Sequence, residues 1–124
     1  MYRFALLALV ALPVAAGAQP PGTRAVKLNG HTFTLPDGFT IELAAGADLA
    51  PRPITCAFDE KGRLYVADSS GSNANVKEQL EKKPHRIVRL EDTNGDGTFE
   101  KQTVFVKNVM FPEGTMWLNG SLYV

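Results

Sequence analysis

The sequence predicts an all-β fold, a truncated β-propeller. Three observations point there. Short runs of alternating apolar and polar residues are separated by turn residues, as in half-buried strands. No amphipathic helical pattern of any length interrupts them. Gly62-Arg63-Leu64-Tyr65-Val66 recurs as Gly120-Ser121-Leu122-Tyr123-Val124, so one strand-turn unit is restated further along the chain. A sandwich would also use regular short strands, and the recurrence favours the propeller.

The first residues read as a leader. Arg3 precedes an apolar run from Phe4 to Ala18, and Ala16-Gly17-Ala18 offers small residues for cleavage. The expectation is a signal peptide over 1–18 and export to a periplasm or cell surface. The run is short for a membrane span and contains Pro13 and Gly17. A flexible lead-in is expected over 19–30, with the incomplete propeller domain over 31–124.

His31 to Leu35 alternates and stops at Pro36-Asp37-Gly38. Phe39-Thr40-Ile41-Glu42-Leu43 alternates again and is expected to be a ring-closing outer strand, left unpaired here. Four antiparallel strands of one blade are then expected at about 55–58, 64–67, 85–90 and 103–106. Asp59-Glu60-Lys61-Gly62 joins the first two as a hairpin turn. Val76 to Lys83 has room for about two helical turns before Pro84 ends them. Met116 to Leu118, Asn119-Gly120 and Leu122 to Val124 open the next blade. On this reading the chain is the N-terminal piece of a larger repeat protein, cut soon after its second unit begins. Its partners would be the remaining blades.

Consecutive loops of such a blade alternate between its two ends. Asp68 to Pro84 and Asn108 to Gly114 share one end, and Asp59–Gly62 shares the other with the Asp92–Glu100 loop. Asp68, His85, Arg86 and Glu113 therefore fall at the long-loop end. Asp68 would aim a carboxylate at a central ligand or cap the Ser69–Gly71 turn. His85 and Arg86 would act as base and carboxylate clamp or pair with carboxylates at the sheet edge. No catalytic residue can be assigned. Met116 and Trp117 are expected to fill the core.

Asp92-Thr93-Asn94-Gly95-Asp96-Gly97 matches the opening of a calcium loop. Asp92, Asn94, Asp96, the Thr98 carbonyl and Glu100 would supply the hard oxygen ligands that Ca2+ requires. Thr103 stands where an EF-hand places its bidentate glutamate, and the flanks read as strands, so this is no EF-hand. A metal-free, hydrogen-bonded Asx/Gly hairpin is the alternative. Any ion here would be structural, because the loop lies away from the long-loop end.

Charge and cysteine content narrow the partners. Thirteen basic residues balance thirteen acidic ones, which gives no electrostatic reason to expect nucleic acid. Cys56 is the single cysteine, so neither an intrachain disulfide nor a C-x-x-C-H haem-attachment motif can form. Its alternation with Ile54 and Phe58 predicts a buried structural thiol.

Four segments together carry a family resemblance. They are Leu35 to Phe39, Phe58 to Asp68, Pro84 to Asp92 with its Asn94-Gly95-Asp96-Gly97 loop, and Phe111 to Trp117 continuing through Leu122 to Val124. They resemble the N-terminal β-propeller of planctomycete and verrucomicrobial "membrane-bound dehydrogenase" proteins, which is distantly similar to soluble quinoprotein sugar dehydrogenases. The resemblance covers most of the chain after residue 33. It implies an exported multidomain protein, a small-molecule or sugar substrate, and electron transfer to pyrroloquinoline quinone or to a downstream c-type haem. The competing expectation is a non-catalytic propeller that binds glycans or proteins at the cell surface.

Overall fold

The computed structural model describes residues 22–124, and the expected leader lies outside the described residues. The chain divides into two units, one ending at Glu42 and one over Leu43–Val124.

The first unit is a hairpin of β1 (Thr23–Leu28) and β2 (His31–Pro36), paired antiparallel from Thr23↔Pro36 to Leu28↔His31. Asn29 and Gly30 close it with φ of 48° and 78°. Two consecutive left-handed residues match the twist of a hairpin, and Asn-Gly is the pair that adopts them most readily. Half of the segment expected as a flexible lead-in, Thr23–Leu28, is therefore strand. The Asn-Gly turn recruits Thr23–Leu28, whose alternation the proline-rich residues before it obscure. Arg24 Nη2 donates to the Phe39 carbonyl at 2.7 Å.

The ring-closing strand expected over 39–43 is not formed. A strand needs a neighbour to share its backbone hydrogen bonds, and among the described residues none runs alongside this segment. Just beyond it, Ala45 makes one isolated parallel bridge to Phe99, with Phe99 N–H donating to the Ala44 carbonyl at 2.7 Å.

The second unit is built on a four-stranded antiparallel meander in the order β3-β4-β5-β6. Its strands are β3 (Pro53–Phe58), β4 (Leu64–Asp68), β5 (His85–Glu91) and β6 (Lys101–Val109). These are the four expected strands, each extended by one or more residues. The helix α1 (Val76–Lys82) lies in the long β4–β5 connection. Asn75 caps it by accepting from Glu78 N–H, and Lys83 closes it in the left-handed conformation with its N–H on the Gln79 carbonyl. Strands β7 (Met116–Leu118) and β8 (Ser121–Tyr123) form a second hairpin about Asn119-Gly120.

The sheet buries different residues on its two faces, as the period of two requires. Val66, Val88 and Leu90 pack with Phe99 on one face, covered by Ala45, Leu49 and Ala50. Tyr65, Ala67 and Ile87 occupy the other face, covered by Trp117, Leu122 and Val109. The Trp117 ring stacks on Tyr65 with centroids 4.8 Å apart, and Phe105 meets Tyr65 edge-on at 4.9 Å. Thr55 of β3 and Thr115, just before β7, stand at equivalent points of the two repeats and place their hydroxyls 3.2 Å apart. Within this unit, the second repeat thus begins packed against the first.

Two packing expectations change. Met116 is 53% exposed because it alternates away from Tyr65, while Trp117 faces it. Cys56 is exposed rather than buried, since β3 is an edge strand whose Ile54, Cys56 and Phe58 row is left largely open. Replacing Cys56 by Ser and joining Thr55→Cys to Thr115→Cys is expected to yield an intrachain disulfide, read by mass spectrometry without reductant. Tyr65→Ala is expected to cost about 3–5 kcal/mol, the usual loss for emptying a buried aromatic site, measured by denaturant unfolding.

Candidate functional site

The antiparallel order carries the Asp68–Pro84 connection and the segment after β6 to the same end of the sheet. At this end Asp68 closes β4 directly opposite Arg86 of β5. The Asp68 side chain is 2% exposed and every contact it makes is with a donor. Oδ1 accepts from Arg52 N–H at 3.0 Å, and Oδ2 accepts from Arg86 Nε and Nη2, each at 2.8 Å. Arg86 is thus the cation that lets a carboxylate be buried here. Asp68 caps no Ser69–Gly71 turn. Ser69 Oγ accepts from Gly71 N–H itself, at 3.1 Å.

His85 is buried and engaged at both ring nitrogens. Nδ1 accepts from Ser70 N–H at 3.2 Å, which leaves Nε2 to donate to Gln79 Oε1 at 3.2 Å. Gln79 Nε2 donates in turn to the Ala74 carbonyl at 2.7 Å. A chain of side-chain hydrogen bonds therefore ties the long connection and α1 to the sheet. An imidazole with both nitrogens occupied has no free lone pair to act as a base. Phe111 lies beside it with ring centroids 6.0 Å apart, and Glu113 is exposed in the same loop.

Gly71 has φ +69°, and a Cβ there would overlap the Arg52 guanidinium. The loop thus carries glycine where the Arg52 side chain crosses it. A shallow cavity of about 310 Å3 opens between Pro51, Asp68, Ser69, Ser70, Pro84 and Arg86. The sequence exposes Asp68, His85 and Arg86 as candidates but gives no hint of Gln79 or Arg52. Their roles depend on where α1 and the segment before β3 come to rest.

The opposite end is closed by carboxylates on backbone N–H groups. Asp59 is buried in the β3–β4 turn. Oδ1 accepts from the N–H groups of Lys61 and Arg63, and Oδ2 from Arg63 Nε at 2.6 Å and Tyr65 Oη at 3.3 Å. Burial raises its pKa, but the Arg63 backbone and guanidinium and the Lys61 N–H outweigh this and hold it below the usual Asp range. Beside it, Trp117 Nε1 donates to Glu60 Oε2 at 2.6 Å, joining the turn to β7.

The expected calcium donors do share one exposed loop, where each side chain serves the loop itself. Asp92 accepts from Gly95 and Gly97 N–H at 2.6 and 2.8 Å. Asn94 Oδ1 accepts from Asp96 N–H, and Asp96 Oδ1 accepts from Thr98 N–H. Glu100 Oε1 accepts from both the N–H and the hydroxyl of Thr93. Among the described residues no three acidic, His or Cys side chains converge as a metal-holding group. As folded, the loop has the geometry of a hydrogen-bonded Asx loop. The Gly97 N–H is the main cause of a lowered Asp92 pKa.

A family model for a domain of unknown function, DUF7133, matches residues 26–124. No curated protein and no solved structure matches the chain.

Asp59 and Asp92 both titrate below the ordinary Asp value in the folded chain. Their contribution is complete above the unfolded-state pKa of about 4 and is lost as pH falls through the depressed folded value. Acid unfolding followed by circular dichroism should show this, with the loss reduced in Asp59→Asn. At neutral pH that substitution is expected to cost about 2 kcal/mol through lost charge-assisted hydrogen bonds. Asp92→Asn is expected to lower the melting temperature, since an amide oxygen cannot replace both carboxylate acceptors.

Proposed function

The chain belongs to the DUF7133 family, and we propose that it forms one blade of an exported β-propeller and the opening hairpin of a second. The observation that carries this reading is the stacking of the two repeat units. A four-stranded antiparallel meander is followed at once by a hairpin of matching sequence, which covers the Tyr65 face of the first sheet and sets Thr115 against Thr55. Propeller blades cover one another's faces in this way, whereas an isolated meander leaves a face open. Export is supported by the leader-like residues 1–18 and by the single cysteine.

In this propeller the long-loop end presents the ligand surface. The resemblance supports a dehydrogenase acting on a small molecule or sugar, with pyrroloquinoline quinone or a c-type haem as electron acceptor. No residue of this chain is assigned to either group, and covalent haem attachment needs a cysteine pair that the chain lacks. The role of this blade in such an enzyme is to bind rather than to react, because Asp68, His85 and Arg86 are committed to one another and to the loop. The same commitment favours, as a second reading, a propeller that binds without catalysis.

The test is substrate-dependent reduction of an artificial electron acceptor by the protein as exported from its natural host, over a panel of sugars and polyols. Turnover that survives His85→Gln is the expected result. Absence of turnover on the whole panel would replace the dehydrogenase by the binding module.

A further inference from the structure

A second cavity, of about 360 Å3, lies at the long-loop end between the C-terminus of α1 and the facing ends of β5 and β6. Its walls include Lys82, Lys83, His85, Arg86, Lys107 and Asn108, and no carboxylate lines it. The volume is at the lower end of the range for small-molecule sites, about 300–1,000 Å3.

The charges here are not balanced by the fold. Asp68, Arg86 and Lys107 form one cross-strand row, with Asp68 opposite Arg86 and Arg86 opposite Lys107. One carboxylate thus faces two cations, and like charges directly opposite one another destabilise a sheet. Lys82 reaches Glu78 at 2.5 Å, an exposed pair of little strength. Among the described residues, neither Lys83 nor Lys107 has a carboxylate within ion-pair distance. Lys83 is held at the rim by the left-handed cap of α1 and by Pro84 behind it.

Arg86 lines this cavity as well as the one beside Asp68. Nε and Nη2 both reach Asp68 Oδ2, so the guanidinium is fixed in orientation by a buried partner. Among the described residues Nη1 has no hydrogen-bond partner, and it shares the outer edge of the fork with the second Nη2 hydrogen. That edge matches two oxygens of a planar or tetrahedral oxyanion, and it is preorganised before any ligand arrives.

We propose that this cavity binds a small oxyanion, the carboxylate or phosphate group of a soluble ligand, between Arg86, Lys107 and Lys83. The group would bridge Arg86 and Lys107 and relieve the repulsion between them. The proposal names the ligand class of the long-loop end and rests on the reading of that end as ligand-bearing. It does not depend on the stacking of the second hairpin, since each wall belongs to α1, β5, β6 or the residues beside them.

The experiment is calorimetric titration of the purified chain with inorganic phosphate and with malonate, against sodium chloride at matched ionic strength. Saturable binding of at least one of the two is expected, absent with chloride and weakened at least tenfold in Lys107→Gln and in Lys83→Gln. Both positions are exposed, so the variants should fold, and without ligand Lys107→Gln should melt at a higher temperature than the parent. Phosphate alone or malonate alone would tell the two oxyanion sources apart. Heats equal to those of chloride, or affinity unchanged in both variants, would overturn the site. If the Thr55–Thr115 disulfide forms while neither anion binds, the blade stands and the ligand class falls.

Discussion

Strand β4 must be covered on both of its faces, and the rest of the larger unit follows from that constraint. Tyr65, Val66, Ala67 and Asp68 are all buried, although neighbouring side chains of a strand point in opposite directions. A four-stranded sheet cannot satisfy this alone. The Val66 side is closed by the Ala45–Ala50 segment and Phe99, and the Tyr65 side by the β7–β8 hairpin. This explains why a segment without regular structure is held by its bridge to Phe99. It also explains why the second repeat packs where it does.

Two buried carboxylates fix the ends of that strand. Asp59 holds the turn that leads into β4, and Asp68 holds its exit. Each is paired with an arginine from an adjoining position, Arg63 and Arg86. Such pairs add little net stability over an apolar core, since both charges must leave water. Breaking one is costly, because it strands an uncompensated charge. Their effect is on register. A slip of one residue between β4 and β5 would move Asp68 away from Arg86 and reverse both apolar faces together. Stability therefore comes mainly from the aromatic stack around Tyr65 and the Val66–Val88–Leu90 layer, while the ion pairs select the alignment.

The same arrangement divides labour between the two ends of the sheet. At the tight-turn end, the carboxylates of Asp59 and Asp92 are spent on backbone N–H groups, which makes the turns self-sufficient. At the long-loop end, Asp68 accounts for one cation among several. Arg86 and Lys107 stand side by side there with only Asp68 opposite them. His85, an obvious candidate for chemistry by residue type, instead anchors the loop that shapes the cavity.

The sequence by itself determined the strands and their order. Alternation, the Gly62 and Gly120 recurrence and Pro84 place β3 to β8 and α1, because a period of two and a helix-stopping proline are local properties of the chain. The Asn29-Gly30 turn was equally local. Its strand β1 was hidden only by the proline-rich residues that precede it. Tertiary structure alone decided which faces were covered, and so which residues were buried. Cys56 is open because β3 is an edge, and Met116 because Trp117 takes the inward position. It also decided partners. Asp68 with Arg86 and Thr55 with Thr115 are far apart in sequence, and no local pattern specifies a contact that depends on how two distant segments fold onto one sheet.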